Sequence, residues 1–273
     1  MQDPLFLVTL ALCAALVGAF AGFLAGLLGV GGGIVIVPML YMALGLLDVD
    51  ESVRMHTAVA TSLATLIPTA WNSMRSHRAK GAVDDQFLRS WGPWILTGAC
   101  VGILLGGGAK PAVLTAVFGL VALVVAIHMA VVSGEARVAD RLPEGAARIP
   151  MAVGIGGFSA IMGIGGGTLA VPLLTLFNYP IRRAIGTSSA VGLIVGIPGA
   201  IGFAIAGWGV PDRLPWSLGY VSLVGFIMLA PTQTLMAPVG ARLAHAIPQA
   251  AMRRVFAAFL AIVSLRMLWS AFG

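Results

Sequence analysis

The sequence predicts an all-α integral membrane protein built from two inverted-topology repeats of about five helical segments each. Three observations predict this fold: an apolar composition, long runs without charge, and matching residues in the two halves of the chain. Of the 273 residues, 59% are hydrophobic and 10% are charged, whereas a soluble domain carries about 25% charged residues on its wetted surface. The composition therefore favours a chain that is solvated by lipid.

Six long stretches contain no Asp, Glu, Lys or Arg. They are residues 4–47, 90–109, 111–134, 149–181, 184–211 and 214–241. Uncharged apolar runs of about 18 or more residues indicate membrane spans, and several of these runs are long enough to cross twice. Backbone amides in hydrocarbon must be hydrogen-bonded internally, and the runs lack the strict alternation of barrel strands, so we predict helices.

The apolar runs divide into two sets of five helical segments. We predict the first set at residues 5–28, 34–47, 55–74, 87–106 and 111–132. The second set follows at residues 149–162, 168–177, 184–206, 216–239 and 252–269. The chain therefore consists of a first repeat (1–132), a polar cytoplasmic linker (133–148) and a second repeat (149–273).

Residue matches between the halves support this division. Residues 29–40 (GVGGGIVIVPML) align with residues 163–174 (GIGGGTLAVPLL), with seven identities in twelve positions. Further along, residues 56–62 (HTAVATS) align with residues 182–188 (RRAIGTS). An ordered series of such matches indicates an internal repeat.

An odd number of segments per repeat turns the second copy upside down, and the basic residues agree with this. If the loop with Asp48 and Glu51 lies outside, twelve of the 16 Lys and Arg residues are cytoplasmic, as the positive-inside rule requires. We therefore predict a multi-pass protein of the cell inner membrane with both termini in the periplasm. Inverted repeats are typical of secondary transporters, whose sites lie at the repeat interface near the bilayer midplane.

Two short segments point to the site itself. Segments 34–47 and 168–177 reach about 21 and 15 Å, short of a hydrocarbon core of about 30 Å, so we expect broken or re-entrant helices there. Each follows a Gly-x-Gly-Gly-Gly stretch, which frees the backbone to turn and exposes amide N–H groups at the positive end of a helix. Such a helix start is suited to anions. The candidate donors are Gly31, Gly32, Gly33, Gly165, Gly166, Gly167 and Thr168. Close helix packing or a tight hairpin is the alternative role of these glycines.

Hydroxyl groups open the next segment of each half. Thr61 and Ser62 match Thr187 and Ser188, and their hydroxyls can donate to an anion. The alternative is hydrogen bonding within or between helices, which is common for membrane Ser and Thr.

Several other classes of site are missing from the sequence. No charged residue falls in the middle of a predicted helix, so no intramembrane carboxylate is available for a cation. Neither Gly-rich stretch continues as a P-loop, and no catalytic cluster, metal site or cofactor motif is present. His56 and His128 lie near segment ends, where interfacial solvation explains them better than proton handling. Glycines spaced by four, as at Gly18, Gly22 and Gly26, are expected to form helix contacts.

Both Gly-x-Gly-Gly-Gly copies are followed four residues later by Val-Pro. Together with Ala-Thr-Ser-Leu at residues 60–63 and Gly-Thr-Ser at residues 186–188, they resemble the TauE/SafE family of membrane permeases over essentially the whole chain. The resemblance implies export of sulfite, sulfonates or related organic anions across a bacterial inner membrane.

We therefore expect a secondary transporter that exports a small anion by alternating access, rather than an enzyme. The anion would be held by backbone amides and Thr/Ser hydroxyls near the midplane. An anion channel, or a transport-inactive membrane partner for assembly or sensing, is the alternative. The expected partners are the anion and the lipid bilayer, with a homo-oligomer left open; no nucleic acid, metal or cofactor is expected.

Overall fold

A computed structural model describes residues 4–28, 32–131, 139, 142–244 and 249–272. Its ten helices follow one another in the predicted order. They are α1 (Pro4–Leu28), α2 (Gly33–Leu46), α3 (Glu51–Ala79), α4 (Asp85–Gly107), α5 (Pro111–Val131), α6 (Arg148–Met162), α7 (Gly166–Leu176), α8 (Ile181–Ala206), α9 (Leu223–Ala244) and α10 (Gln249–Phe272). The remaining elements are a 3₁₀ turn at Gly145–Ala147 and the strands β1 (Ser217–Leu218) and β2 (Val221–Ser222).

Seven segments within the described ranges are long and apolar enough to cross a membrane, with 18 to 26 residues each. Large apolar side chains such as Leu16, Leu104 and Val131 point outward, and an exterior of this kind needs lipid around it. Helices α2 and α7 are shorter, with 14 and 11 residues. The predicted all-α membrane fold is confirmed.

Two segments differ from the prediction by more than three residues at their ends. Residues 217–222 form an antiparallel pair of strands rather than the start of the helix predicted at 216–239. The turn between the strands needs Gly219 at φ +55°, a conformation that glycine adopts without strain and that interrupts a helix. Helix α3 is longer than the predicted 55–74 because Asp50 caps it, its side chain accepting the N–H of Ser52 at 2.8 Å.

Glycines spaced by four bring two helix pairs into close parallel contact. Helix α1 runs along α9, where a Cβ atom on Gly22 would lie 2.6 Å from Cα of Gln233. Helix α4 runs along α6, where a Cβ atom on Gly102 would lie 2.9 Å from Cα of Gly157. Glycine is needed at both positions because the backbones approach more closely than any side chain permits. The expected helix contacts are present.

The other large interfaces join α3 to α8 and α5 to α10. Gly199 of α8 packs on Leu63, and Gly192 packs on Ala70, so α3 and α8 run antiparallel. Each helix of the first half has its equivalent five helices later in the chain, so α1 corresponds to α6 and α4 to α9. When every helix is replaced by its equivalent, the pair α1–α9 becomes α4–α6, and the pairs α3–α8 and α5–α10 stay the same. Residues 55–66 of α3 and 32–38 of α2 are buried, which places the centre of the protein beside the glycine stretches.

Candidate functional site

The two glycine-rich breaks touch each other in the interior of the protein. A Cβ atom placed on Gly33 would lie 2.8 Å from Cα of Ile164 and 2.9 Å from the carbonyl oxygen of Gly163. All three residues are buried. Positions 130 residues apart in the chain (163 minus 33) therefore meet where α2 begins and α6 ends.

At the second break, the amides next to the end of α6 form hydrogen bonds within the helix end. Gly163 adopts a left-handed conformation with φ +67° and ends α6. Its N–H donates to the carbonyl of Ala160 at 3.2 Å, and the N–H of Ile164 donates to the carbonyl of Ser159 at 3.0 Å. These bonds satisfy the last carbonyls of α6, as in a common helix C-cap. The amides of Gly163 and Ile164 are therefore engaged.

The other side of the second break carries amides without backbone partners. Gly165 is the N-cap of α7, and its carbonyl accepts the N–H of Thr168 at 3.3 Å. Within the described part of the chain, the N–H groups of Gly165, Gly166 and Gly167 donate to no residue. Three donors thus lie at the positive end of α7, and the buried side chain of Thr168 follows them.

The first break begins α2 in a related way. The carbonyl of Gly32 accepts the N–H groups of Val35 at 3.0 Å and of Ile36 at 2.9 Å. The amides of Gly33 and Ile34 have no partner among the residues that the structure describes. The predicted donors Gly32 and Gly33 are therefore at the meeting point, whereas Gly31 lies outside the described residues.

Gln233 of α9 is a polar residue at this point that the sequence reasoning missed. Its side chain reaches the first break, because a Cβ atom on Gly32 would lie 2.9 Å from Cδ of Gln233. Only 4% of the residue is exposed, and Oε1 has no hydrogen-bond partner in the described ranges. A search for charged side chains in the spans does not find a neutral amide. The signal that could have revealed Gln233 is that it is the one glutamine in an uncharged run of 28 residues (214–241).

The four predicted hydroxyls fall into two pairs. The hydroxyl of Ser62 donates to the carbonyl of Gly163 at 2.7 Å, so it fixes α3 to the second break. Ser188 is its counterpart in the aligned sequence, is only 2% exposed, and its hydroxyl has no partner among the described residues. The two serines therefore differ. The Ser62 hydroxyl is used in a hydrogen bond between α3 and the second break, whereas the Ser188 hydroxyl remains available as a donor.

Thr61 and Thr187 lie at joints between the halves rather than against the breaks. The Thr61 hydroxyl accepts the N–H of Ser222 at 3.0 Å, just before α9. The Thr187 hydroxyl accepts the N–H of Asp84 at 2.9 Å, just before α4. Each threonine thus holds the start of a helix that belongs to the other half of the chain.

The joint at Thr187 includes a charged network. Asp84 caps α4 by accepting the N–H of Phe87 at 2.9 Å, and the Tyr179 hydroxyl donates to Asp84 at 2.6 Å. Arg183 lies 3.9 Å from the same carboxylate. Partial burial opposes ionisation, but the bonds from Tyr179 and Phe87 and the charge of Arg183 lower the pKa of Asp84 overall. Burial, and then the bond to Asp84, raises the pKa of Tyr179 to about 12.

Replacing Asp84 with asparagine is expected to weaken this joint, because it removes the charge that Tyr179 and Arg183 contact. The expected loss is about 1.5–3 kcal/mol of stability at neutral pH. Because the pKa of Asp84 is lower in the folded protein than in the unfolded chain (about 3.9), the ionised carboxylate stabilises the fold at pH values above about 3.9. This stabilisation is lost as the pH falls through the pKa of the folded protein. Thermal unfolding of both proteins across acidic and neutral pH measures the difference.

Asp85→Asn is the matched control, since Asp85 is exposed and its one ion pair among the described residues is with exposed Arg78. It should cost less than about 1 kcal/mol. Equal unfolding temperatures for Asp84→Asn and Asp85→Asn at neutral pH would contradict the role of Asp84.

Two cavities with paired arginines lie away from the breaks. One, of about 550 Å³, is lined by Arg148 and Arg183 together with Asp84 and Glu144. The other, of about 620 Å³, is lined by Arg54 and Arg266 beside Glu51. The first adjoins the loop before α8 and the second adjoins the loop before α3, so each glycine hairpin has an arginine-lined cavity beside the end of its short helix.

Comparisons with known proteins agree on a transport family. A family model described as "Sulfite exporter TauE/SafE" matches residues 14–267. A probable membrane transporter protein of Haemophilus influenzae is 34% identical over 259 residues, which is 95% of this chain and 98% of that protein. The probable membrane transporter protein MJ0441 of Methanocaldococcus jannaschii is 26% identical over 93% of each chain. No solved structure matches significantly.

Proposed function

This chain belongs to the sulfite exporter TauE/SafE family, and from that premise we propose that it is a secondary transporter that exports a small anion such as sulfite or a sulfonate. The contact between the two glycine breaks is the observation that carries the proposal. It brings together the N–H groups of Gly165, Gly166 and Gly167, the start of α2 and the amide of Gln233 near the centre of the protein, where Gly165 and Gly167 are half-buried and the others are buried. Neutral donors suit an anion in an interior without a fixed counter-charge.

Binding at this place is a balance between hydrogen bonding and dehydration of the anion. Each hydrogen bond from an N–H or O–H group to a charged oxygen contributes about 1.5–3 kcal/mol, offset by lost hydration. Ser188, with its spare hydroxyl, and Gln233 can add donors to those of the backbone. The donors are held by helices rather than by mobile loops, so little ordering is needed when the anion enters.

The equivalence of the packing pairs in the two halves supports alternating access. In an inverted repeat, each helix interface of one half has an equivalent in the other half. An outward-open conformation can therefore convert into an inward-open one when the two halves exchange their packing. The pairs α1–α9 and α4–α6 are such equivalents, and the counterpart helices α3 and α8 run antiparallel. We assign the repeats to residues 1–132 and 149–273, with the linker 133–148 on the cytoplasmic side.

The proposed orientation places both termini in the periplasm. Asp84, Tyr179 and Arg183 bring the basic loop after α3 and the basic loop after α7 to one side, which the positive-inside rule makes cytoplasmic. In intact cells, a membrane-impermeant thiol reagent should label Asp48→Cys and leave Arg78→Cys unlabelled, in a background that lacks Cys13 and Cys100. Labelling of Arg78→Cys alone would reverse the assignment.

A thermal-shift screen of the purified protein tests anion binding. Sulfite, sulfate, short sulfonates and short carboxylates are compared, because a ligand at 100 times its Kd stabilises the folded state by about 2.7 kcal/mol. At least one oxoanion should raise the unfolding temperature by several degrees, while chloride at equal ionic strength should not. A flat response to every anion would contradict the proposal.

Counterflow in proteoliposomes then distinguishes a carrier from a channel. Proteoliposomes that contain a carrier and are loaded with unlabelled anion take up labelled anion faster, because the carrier returns to the outer side with an anion bound. A channel gives no such stimulation. Absence of any flux, with a stable protein complex on purification, would indicate a membrane partner without transport activity.

A further inference from the structure

His56 of α3 is fully inside the protein. Only 2% of it is exposed, so the interfacial solvation expected from its position near a segment end is wrong. Its ring stacks on Tyr220 with 4.6 Å between centroids, and Phe203 lies 6.5 Å away. Among the side chains that the structure describes, His56 is the one histidine or charged residue that is buried.

The surroundings of the ring leave both nitrogens unsatisfied. Neither Nδ1 nor Nε2 has a hydrogen-bond partner in the described ranges. Burial in the apolar interior opposes protonation of the ring. The groups that favour protonation are the backbone carbonyls of Gly106, in the last turn of α4, and Ala109, just after it. A neutral imidazole offers one donor and one acceptor, whereas these carbonyls only accept. The imidazolium has two donors to match them, and the negative end of a helix favours a cation.

His56 lies about one helical turn along α3 from the meeting point of the breaks. Val59 follows His56 by three residues on the same face of α3, about 5 Å further along the helix axis. A Cβ atom on Gly163 would lie 2.8 Å from Cα of Val59. Opposite charges interact more strongly in a protein interior than in water. A cation at His56 and an anion at the breaks would therefore favour each other.

We propose that His56 is a proton-binding site whose occupancy is coupled to that of the anion at the breaks. The proposal rests on the proposed function, and it adds the proton as a second ligand. Other titratable groups near the ring do not replace it. Tyr220 is the stacking partner, Lys110 follows Ala109, Glu51 is exposed, and Arg54 donates to the carbonyl of Val49 at 2.7 Å.

The pH dependence of anion affinity tests the coupling. Methanesulfonate is the probe, because its own charge is constant between about pH 5.5 and about pH 8, where histidine titrates. The wild-type protein should bind it about tenfold more tightly at the lower pH. His56→Phe keeps a ring to stack on Tyr220 but cannot bind a proton, so its affinity should change less than about twofold. His77→Gln, near the far end of α3, is the control and should keep the wild-type response.

A wild-type affinity that is independent of pH, or a His56→Phe protein with the full pH dependence, would overturn the coupling. His56→Gln serves in the same assay if His56→Phe is unstable. Nitrogen NMR of the ring gives an answer that does not need the anion: a His56 signal that does not titrate between about pH 5 and about pH 8 overturns the proton site. Failure of every anion to bind while His56 titrates would instead contradict the proposed function.

Discussion

Gly33→Ala is expected to abolish transport while the helices still assemble. The added methyl group would meet Cα of Ile164 at 2.8 Å and the carbonyl oxygen of Gly163 at 2.9 Å. Both obstacles are backbone atoms, so they cannot rotate away as a side chain would. Overpacking of this kind costs about 1–3 kcal/mol. Because the strain falls where α2 meets the second break, we expect it to move the α7 donors and lower anion affinity about tenfold or more.

Gly154→Ala in α6 is the matched control, since among the described residues no atom beyond its own stretch of helix lies within 4 Å of the added methyl group. Alanine is also a better helix former than glycine by about 1 kcal/mol. The control should therefore transport normally and unfold at the same or a higher temperature. Both variants are compared by uptake into proteoliposomes and by thermal unfolding. Wild-type uptake by Gly33→Ala would show that close contact between the breaks is not required.

Gln233→Leu is expected to lose anion binding and yet remain as stable as the wild type, or become more stable. Leucine has a similar volume, and it removes an Oε1 that has no described hydrogen-bond partner, a group that costs about 1–3 kcal/mol when buried. The lost hydrogen bond to a charged oxygen is worth about 1.5–3 kcal/mol, which weakens binding about 10-fold to 100-fold. Measured on the same preparation, the anion affinity should fall while the unfolding temperature stays the same or rises.

Thr234→Val, on the same helix, separates this effect from a general disturbance of α9. Thr234 is exposed and donates to the carbonyl of Ala230 in its own helix at 2.7 Å, so its replacement should leave affinity unchanged. A Gln233→Leu protein that unfolds earlier but binds the anion normally would make Gln233 a packing residue.

The pattern of helices was predictable because local sequence decides it. The uncharged runs predicted the spans, and the glycines spaced by four predicted close helix contacts. Which helices pair, α1 with α9 and α4 with α6, came only from the structure. The hairpin at 217–222 was not predicted. It depends on Gly219 in a left-handed conformation and on apolar strand residues that also suit a membrane helix, so hydropathy does not distinguish the two.

The site was predictable only in part. The two glycine stretches could be identified as candidate anion sites because free amides at a helix start are expected from their sequence. Their direct contact is tertiary, as is the approach of Gln233 from α9 to Gly32. The roles of the hydroxyls also depend on distant partners: Thr61 and Thr187 bond to the starts of α9 and α4, which no spacing in the chain indicates.

Anomalous diffraction from crystals grown with selenate tests the central idea most directly, since selenate has the shape and charge of sulfate and a strong anomalous signal. We predict a selenium peak at the N-terminal end of α7, within hydrogen-bonding distance of the amides of Gly166 and Gly167 and of the Gln233 side chain. A peak confined to the cavity beside Arg148 and Arg183, with the α7 amides bonded to protein carbonyls, would contradict an anion site at the glycine breaks.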